Sequence, residues 1–366
     1  MTDLALDLRT LLTGALRTHA RRPAVVADGR TWTFAELDET SNRLAHALRE
    51  LGVGPSTPVA LMMSNCAEYV VADLAVLKLG AAKVPLNDML SADEATYILR
   101  NSGAVVALAT PSQVDVATAH LKAGEDLRTV VSVDEQVRGT GIISWTDALA
   151  DRPTQAPDVE ISPDDVGLMM YTGGTTGRPK GVVHRQDRLA LNQLTHRIET
   201  EIRADDRLLL SSPLPHSAGL LLQTALAAGA VTHVESRFDA KAVLEAIQGH
   251  GVTYLFLVPT MIYRLLDRAA ELRGDYSALR TILYGAAPIS PERLAEGLQR
   301  FGPVFVQLYG QSEAPNFITR LRREDHTTDP ASAYRLRSCG QPTAMAQVRI
   351  VDEEGRDCPP GAEGEV

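Results

Sequence analysis

The second half of the chain alternates short apolar runs with amphipathic segments, and this alternation limits the available folds more than any other feature. The apolar runs are Tyr254–Val258, Thr281–Tyr284 and Val304–Leu308, and the helical patterns between them lie near Lys241–His250, Met261–Leu272 and Pro291–Phe301. Such alternation indicates a parallel sheet covered by helices. Ligands bind such sheets at the carboxyl ends of the strands, so the loops that follow these runs are the candidate sites.

The first half contains the same kinds of element. An Asp-Gly pair at 28–29 between two short runs of strand-forming residues predicts a β-hairpin. The segment 59–87 predicts a strand–helix–strand unit whose helix ends at Gly80. Residues 151–165 are rich in proline and acidic side chains, and they predict a solvated connector.

Length and charge set the class of protein. With 366 residues, of which 45% are hydrophobic, the chain is expected to fold into several packed subdomains. We place their approximate limits at 1–160, 161–235 and 236–366. A formal net charge of −10 argues against a broad nucleic-acid-binding surface, so no nucleic-acid partner is expected.

The cysteines and the N-terminus bear on the compartment. Cys66, Cys339 and Cys358 are odd in number, widely spaced and in no metal-ligand pattern, which favours reduced thiols in a cytoplasm. The first residues lack the basic and apolar regions of a signal peptide. No run of about 18 apolar residues is present, so we expect no membrane span.

One loop carries the strongest chemical signal. The stretch 169–185 reads MMYTGGTTGRPKGVVHR, in which an apolar run gives way to glycines, threonines and a lysine. Consecutive glycine N–H groups, threonine hydroxyls and a lysine ammonium form a site for polyphosphate. The P-loop pattern is absent, because Gly177 is followed by Arg178 and Lys180 by Gly181. A flexible surface turn is the alternative interpretation of such a loop.

The ordered string YTGGTTGRPKG closely resembles the phosphate-loop signature of the adenylate-forming superfamily, which includes acyl- and aryl-CoA synthetases. Three further strings follow in the order of that family and resemble its acid-pocket, adenine and magnesium motifs: PLPHSAG at 213–219, YGAAP at 284–288 and QLYGQSE at 307–313. The resemblance spans about residues 20–366. It implies an α/β fold, a large lobe of several subdomains with mostly parallel sheets covered by helices.

The resemblance also implies a reaction in two steps. A carboxylic acid attacks Mg·ATP to give an acyl-adenylate and pyrophosphate, and the acyl group then passes to a thiol, usually that of CoA. Because a carboxylate is already a nucleophile at pH 7, the chemistry needs charge neutralisation and alignment more than an acid or a base. The expected small molecules are therefore ATP, Mg²⁺, CoA and a carboxylic acid.

Residue roles are carried over by position in the motifs. The residues matching the phosphate loop are Thr172, Gly173, Gly174, Thr175, Thr176 and Lys180. Gly173 stands where the family usually has serine, so one hydroxyl donor is missing. Glu313 matches the magnesium carboxylate, and its neighbour Ser312 replaces the usual threonine. The residues matching the adenine site are Gly285, Ala286, Ala287, Gln307 and Tyr309.

The acid pocket is implied by further matches. His216 matches a residue that lines this pocket and approaches the acyl-adenylate, and Arg237 falls where CoA ligases often place a cation for the nucleotide end of CoA. Ser217 stands where peptide synthetases have an aspartate that pairs an ammonium group, which disfavours α-amino acids. Leu308 and Tyr284 replace smaller residues, and they favour an aromatic or compact acid of at most medium length.

The resemblance further implies a small C-terminal lid domain, with the lysine that bridges carboxylate and α-phosphate, beyond the final GAEGEV. We expect this large lobe alone to turn over slowly. Three functional interpretations stay open: an acid–CoA ligase; an adenylating enzyme that loads a carrier protein or activates nitrite to diazotise an aryl amine; and a non-catalytic nucleotide- or acyl-binding protein. Assembly as a homodimer is also open.

Overall fold

A computed structural model describes residues 7–172, 177–272 and 274–366. Their strands, in chain order, are β1 (Pro23–Ala27), β2 (Arg30–Thr33), β3 (Pro58–Met62), β4 (Ala82–Leu86), β5 (Val106–Ala109), β6 (Thr129–Ser132), β7 (Ile142–Ser144), β8 (Val166–Thr172), β9 (Lys180–Arg185), β10 (Arg207–Leu210), β11 (Val231–Val234), β12 (Tyr254–Leu257), β13 (Thr281–Tyr284), β14 (Phe305–Gln311), β15 (Ala314–Leu321) and β16 (Gln341–Pro342).

The helices of the same ranges are α1 (Leu8–Thr18), α2 (Phe34–Glu50), α3 (Ala67–Lys78), α4 (Ala92–Ser102), α5 (Val114–Lys122), α6 (Trp145–Leu149), α7 (Gln186–Glu199), α8 (Gly219–Ala228), α9 (Ala240–Gly249), α10 (Pro259–Glu271) and α11 (Pro291–Phe301). None of these helices is long and apolar enough to cross a membrane.

The strands form two sheets. A nine-stranded sheet has the order β16-β15-β14-β13-β12-β10-β11-β1-β2, and a seven-stranded sheet has the order β7-β6-β5-β3-β4-β8-β9. Six neighbouring strands of the first sheet, from β14 to β1, are mutually parallel, whereas the outer pairs β1–β2, β14–β15 and β15–β16 are antiparallel. In the second sheet only β9 pairs antiparallel with its neighbour. The predicted class, α/β with mostly parallel sheets covered by helices, is confirmed.

The core has three layers of apolar packing. The largest cluster lies between the sheets and takes buried leucines from both, among them Leu61, Leu168, Leu210 and Leu283. A second cluster joins the outer face of the nine-stranded sheet to α9, α10 and α11. A third joins the outer face of the seven-stranded sheet to α4 and α5. Both sheets are therefore buried on two faces, as parallel sheets require.

Several predicted elements are confirmed. The three apolar runs of the second half are β12, β13 and β14, and the helical patterns beside them are α9, α10 and α11. The predicted hairpin joins β1 to β2 through Asp28 and Gly29, whose φ angles are +51° and +74°. Gly80 ends α3 with a φ of +63°, and a Cβ added there would lie 2.7 Å from Ile161 Cγ1.

The sequence predicts that residues 151–165 form a solvated connector. In the structure this connector is held against α2 by hydrogen bonds. Asn42, Arg43 and His46 of α2 bond through their side chains to backbone carbonyls of residues 154, 152 and 155 at 2.6, 3.1 and 3.0 Å. These polar groups hold an irregular segment in place without secondary structure.

The two sheets take their strands from different stretches of the chain. The seven-stranded sheet runs from β3 to β9, and the nine-stranded sheet combines β10 to β16 with the N-terminal hairpin. The segment 161–235 therefore contributes strands to both sheets.

Candidate active site

The loop predicted to bind phosphate connects two paired strands. β8 and β9 are antiparallel, and their register places Thr172 opposite Lys180. The Thr172 hydroxyl donates to the Lys180 carbonyl at 3.5 Å. Two of the six predicted phosphate ligands are thus brought together at the loop end of this hairpin. The other four, at 173–176, lie outside the described residues.

A glycine shapes the same hairpin. A Cβ added at Gly181 would lie 2.9 Å from a ring carbon of Tyr171, whose hydroxyl donates to Asn101 Oδ1 at 2.8 Å. Glycine is therefore required there for close packing. Gly177 is different, since an added Cβ would have no neighbour within 4 Å among the described residues.

A cavity of about 260 Å³ lies beyond the carboxyl ends of β13 and β14. It brings together four of the five residues predicted to hold adenine, namely Ala286, Ala287, Gln307 and Tyr309. The fifth, Gly285, packs beneath them, and a Cβ there would lie 2.5 Å from the Leu308 carbonyl oxygen. Small residues at this point leave a flat wall for a planar ring beside Tyr309.

The backbone at this wall is strained. Ala286 has a φ of +70°, in the left-handed region that residues with a Cβ rarely adopt. Such residues cost on the order of 1–2 kcal/mol, and they cluster at ligand sites. The strained turn presents residues 286–288 at the surface, at the mouth of the cavity.

Glu313 lies in the tight turn that joins β14 to β15. Its side chain is exposed and lines a second cavity of about 420 Å³, together with His184 and Gln311. Within the described ranges, its carboxylate forms no hydrogen bond or ion pair, and no cluster of three or more His, Cys, Asp or Glu side chains suits a metal. A single open carboxylate fits Mg²⁺, which takes one or two protein oxygens and completes its shell with water and phosphate.

His216 lies at the surface between the two sheets. It belongs to the irregular turn Leu214–Ala218, and its Nε2 lies 3.1 Å from the side-chain nitrogen of Asn87, just after β4. Because that amide nitrogen can only donate, Nε2 accepts and the ring is neutral. Desolvation by the surrounding protein lowers the pKa of His216, which agrees with a neutral ring.

Asn65 anchors this turn, and the sequence analysis missed it. Its side-chain nitrogen donates to the carbonyls of Ser212 and Glu235 at 3.0 Å each, and its oxygen accepts from the Leu214 amide at 2.8 Å. The residue precedes α3 in the predicted strand–helix–strand unit. One asparagine thus ties the seven-stranded sheet to the turn that carries His216.

Ser217 is held from the other side by buried polar groups. Its carbonyl accepts from the Asn316 amide at 3.4 Å, and the same amide nitrogen lies 2.9 Å from His196 Nε2. The other ring nitrogen of His196 donates to the Asn192 carbonyl at 2.7 Å. Burial lowers the pKa of His196 to about 4, so the ring is neutral and supports a fixed geometry.

Leu308 and Tyr284, both predicted to lie at the acid pocket, lie on opposite faces of the nine-stranded sheet. Leu308 is buried in the cluster between the sheets, whereas Tyr284 packs with α9, α10 and α11 on the opposite face of the nine-stranded sheet. The Tyr284 hydroxyl bonds His326 Nε2 at 3.0 Å, and its ring lies edge-on to Phe305. Alternation of side chains along neighbouring strands separates the two residues.

Arg237 stands apart from these groups. It is exposed just beyond β11, and it does not line the cavity that contains Tyr309. It forms no salt bridge with any residue of the described ranges.

Comparison with known proteins decides the family. The sequence model of the AMP-binding enzyme family matches residues 12–366. The chain belongs to the AMP-binding enzyme family. It is 33% identical over 361 residues to a medium/long-chain fatty acid–CoA ligase of Mycobacterium tuberculosis, covering 97% of this chain and 62% of that protein. It is 36% identical over 345 residues to a feruloyl-CoA synthase of an Amycolatopsis species, covering 94% of this chain and 66% of that protein.

A solved structure agrees with the family assignment. The amide bond synthetase McbA from Marinactinospora thermotolerans superposes with a TM-score of 0.86 at 30% identity, covering 97% of this chain and 69% of that chain. The present chain thus spans less than two thirds of the length of the two curated relatives.

Two further parts of the candidate site were not predicted from the sequence. Residues 336–339 form the far wall of the cavity beside Tyr309, although they lie in an irregular segment after β15 with no motif of their own. His184 stands at the end of the phosphate string and donates from Nε2 to the Ser312 carbonyl at 2.8 Å. Its presence in the string was the only available signal, because the contact joins residues 128 positions apart.

Proposed function

We propose that the protein activates a carboxylic acid with Mg·ATP as an acyl-adenylate and then transfers the acyl group to CoA. One observation carries the proposal. The hydrogen bond from His184 to the Ser312 carbonyl joins the phosphate hairpin to the turn of Glu313, which continues the strand of Tyr309. Candidate groups for phosphate, metal and adenine thus lie on two elements that touch each other.

In the first step, a carboxylate oxygen attacks the α-phosphorus, the bond to the β-phosphate oxygen breaks, and pyrophosphate leaves. Thr172 and Lys180 bind the departing phosphates, and Tyr309 holds adenine against Ala286 and Ala287. Glu313 would hold a magnesium ion, which would supply charge neutralisation at the phosphates. These groups act by alignment and electrostatics, since the carboxylate needs no base.

In the second step, the sulfur of CoA attacks the acyl carbonyl, the bond from the acyl carbon to the phosphate oxygen breaks, AMP leaves, and the thiol proton passes to water. His216 lies beside the proposed acid pocket as a neutral ring, which permits an uncharged acyl group to approach. Arg237 is proposed to meet the nucleotide end of CoA. A carrier protein is the alternative acceptor.

The proposed acid is aromatic or of compact to medium length. Leu308 is buried on the face of the sheet that looks toward the seven-stranded sheet. Its side chain is proposed to limit the depth of the acid pocket. Ser217 supplies no carboxylate to pair an ammonium group, which disfavours amino acids. A feruloyl-CoA synthase among the relatives supports an aryl acid.

ATP–pyrophosphate exchange on the whole natural protein, with a panel of aryl and fatty acids, tests the proposal. We expect acid-dependent exchange and a thioester when CoA is added. Exchange without a thioester, but with loading of a carrier protein or with diazotisation of an aryl amine in the presence of nitrite, would favour the adenylating alternatives. ATP binding without exchange for any acid would favour a binding protein.

The subdomain limits 1–160, 161–235 and 236–366 remain proposals, as do the small lid domain, a cytoplasmic location and a homodimer. Light scattering of the purified protein measures the last of these.

A further inference from the structure

His184 makes a contact that the proposed reaction does not by itself explain. It lies on β9, four residues beyond Lys180, and is 8% exposed. Its Nε2 lies 2.8 Å from the carbonyl oxygen of Ser312. A carbonyl oxygen can only accept, so Nε2 carries the proton. A buried imidazole therefore bonds the main chain of the residue next to Glu313.

The two partners belong to different sheets. β9 is an edge strand of the seven-stranded sheet, and Ser312 lies in the turn between two strands of the nine-stranded sheet. Gly310 also constrains that turn, because a Cβ added there would lie 2.5 Å from the backbone nitrogen of Asn316. The turn is thus fixed by close packing at its base and by His184 at its tip.

The side chain of Glu313 is left open by this arrangement. His184 and Glu313 line the same 420 Å³ cavity, and the imidazole holds the backbone rather than the carboxylate. An ordinary core histidine would satisfy its N–H on its own element or on a neighbouring strand. This one acts across the sheets, on the turn that carries the proposed metal ligand.

We propose that His184 is a positioning residue, which fixes the Ser312–Glu313 turn so that the carboxylate faces the metal-bound phosphates. The inference rests on the proposed function in one respect, namely that Glu313 meets Mg²⁺. The role is indirect, because the imidazole bonds the backbone of this turn and not the Glu313 carboxylate.

The test compares His184→Leu with His184→Gln. Glutamine places an amide N–H near the position of Nε2 and keeps the donor, whereas leucine removes it. Calorimetry measures the affinity for ATP in the presence of Mg²⁺ and again in the presence of EDTA. The first affinity divided by the second is the magnesium-dependent gain in ATP affinity. We expect His184→Leu to reduce this gain roughly fivefold to tenfold, the scale of one hydrogen bond, with ATP affinity in EDTA unchanged. His184→Gln should retain most of the gain.

His46→Leu is the matched control. His46 makes the same kind of bond, from Nε2 to the Gln155 carbonyl at 3.0 Å, on the connector and away from the site. It should leave the magnesium-dependent gain at its wild-type value.

A double-mutant cycle with Glu313→Gln shows whether His184 acts through Glu313. In that background, His184→Leu should have no further effect on the gain. Equal losses in both backgrounds, or a loss of ATP affinity in EDTA, would overturn the inference and leave a plain structural role. The cycle reads binding alone, so a protein that binds Mg·ATP without pyrophosphate exchange would fail the proposed function without affecting this result.

Discussion

Glu313 is the single side chain on which the proposed chemistry most depends. It is exposed to the 420 Å³ cavity on a turn fixed by its neighbours. We predict that Glu313→Gln lowers the rate of pyrophosphate exchange by about 10²-fold or more, because a preorganised charge at the phosphates is lost. Glu39→Gln, an exposed carboxylate on α2, is the control and should have no effect. A Glu313→Gln rate within a few-fold of wild type at saturating magnesium would remove the metal assignment.

The opposite orientations of Leu308 and Tyr284 allow a second test at this scale. We predict that Leu308→Ala shifts acid preference toward longer chains, because it removes bulk on the face that looks into the molecule. Tyr284→Phe should leave the preference unchanged, since its ring packs on the other face. Chain-length profiles of pyrophosphate exchange measure both. Leu308→Ala is expected to cost about 2–5 kcal/mol of stability, so the assay is run well below its unfolding temperature.

An unchanged profile for Leu308→Ala would remove the main support for a compact acid. A shift caused by Tyr284→Phe would show that the pocket reaches the outer face of the sheet.

Which residue faces the pocket could not be predicted from the sequence here. The run TILY is buried at all four positions, so it shows no polar–apolar alternation from which a facing side can be assigned. Tyr284 was therefore assigned to the pocket by its place in a motif. Its partner His326 lies 42 positions further along the chain, and no local signal identifies it.

At the scale of elements, turn residues and apolar periodicity predicted the positions of several helices, strands and turns. The Asp28–Gly29 hairpin, the end of α3 at Gly80, the start of β12 and the limits of β13 and α11 all follow from turn residues and apolar periodicity. The wall at 336–339 did not follow, because the short helix Ala333–Arg337 and the chain after it are placed by long-range contacts. One of these is the bond from the Thr319 hydroxyl to the Cys339 carbonyl, at 2.6 Å.

Residues 336–339 include a cysteine whose alkylation can report on ligand binding in the cavity beside Tyr309. Cys339 is exposed and lines the cavity with Tyr309, whereas Cys66 is half-buried and its pKa is raised to about 12, mainly by desolvation. Only a thiolate alkylates at a useful rate. We predict that iodoacetamide labels Cys339 well before Cys66, and that saturating Mg·ATP slows labelling at Cys339 several-fold. Peptide mass spectrometry measures both sites, with Cys358 as the unprotected reference. Labelling at Cys339 that is unaffected by bound ATP would place adenine elsewhere.

For the molecule as a whole, the candidate site lies where the two sheets meet. Side-chain bonds cross between the sheets at His184–Ser312, Asn87–His216 and Asn65–Ser212. The apolar cluster between the sheets takes residues from both, so the two halves pack as one core. The sequence predicted the motifs and their order. It did not predict which asparagines and histidines join these motifs, because the sequence around a single polar residue does not indicate a hydrogen-bond partner that is distant along the chain.

Buried neutral histidines couple the stability of this whole structure to pH. Burial is the main cause that lowers the pKa of His196, His233 and His326 to about 4 each, from an ordinary value of 6.5. Between these values the unfolded chain binds more protons than the folded one, so stability is full above pH 6.5 and is lost as the pH falls toward 4.

From pH 8 to pH 5, His196 alone is expected to remove about 2 kcal/mol from the free energy of unfolding. Urea unfolding at the two pH values measures the difference, and His196→Gln should shrink it by about that amount, since glutamine does not titrate. If His196→Gln shows the same difference as wild type, His196 is not neutral in the folded protein. Its contacts with Asn316 and with the Asn192 carbonyl would then involve a protonated imidazole.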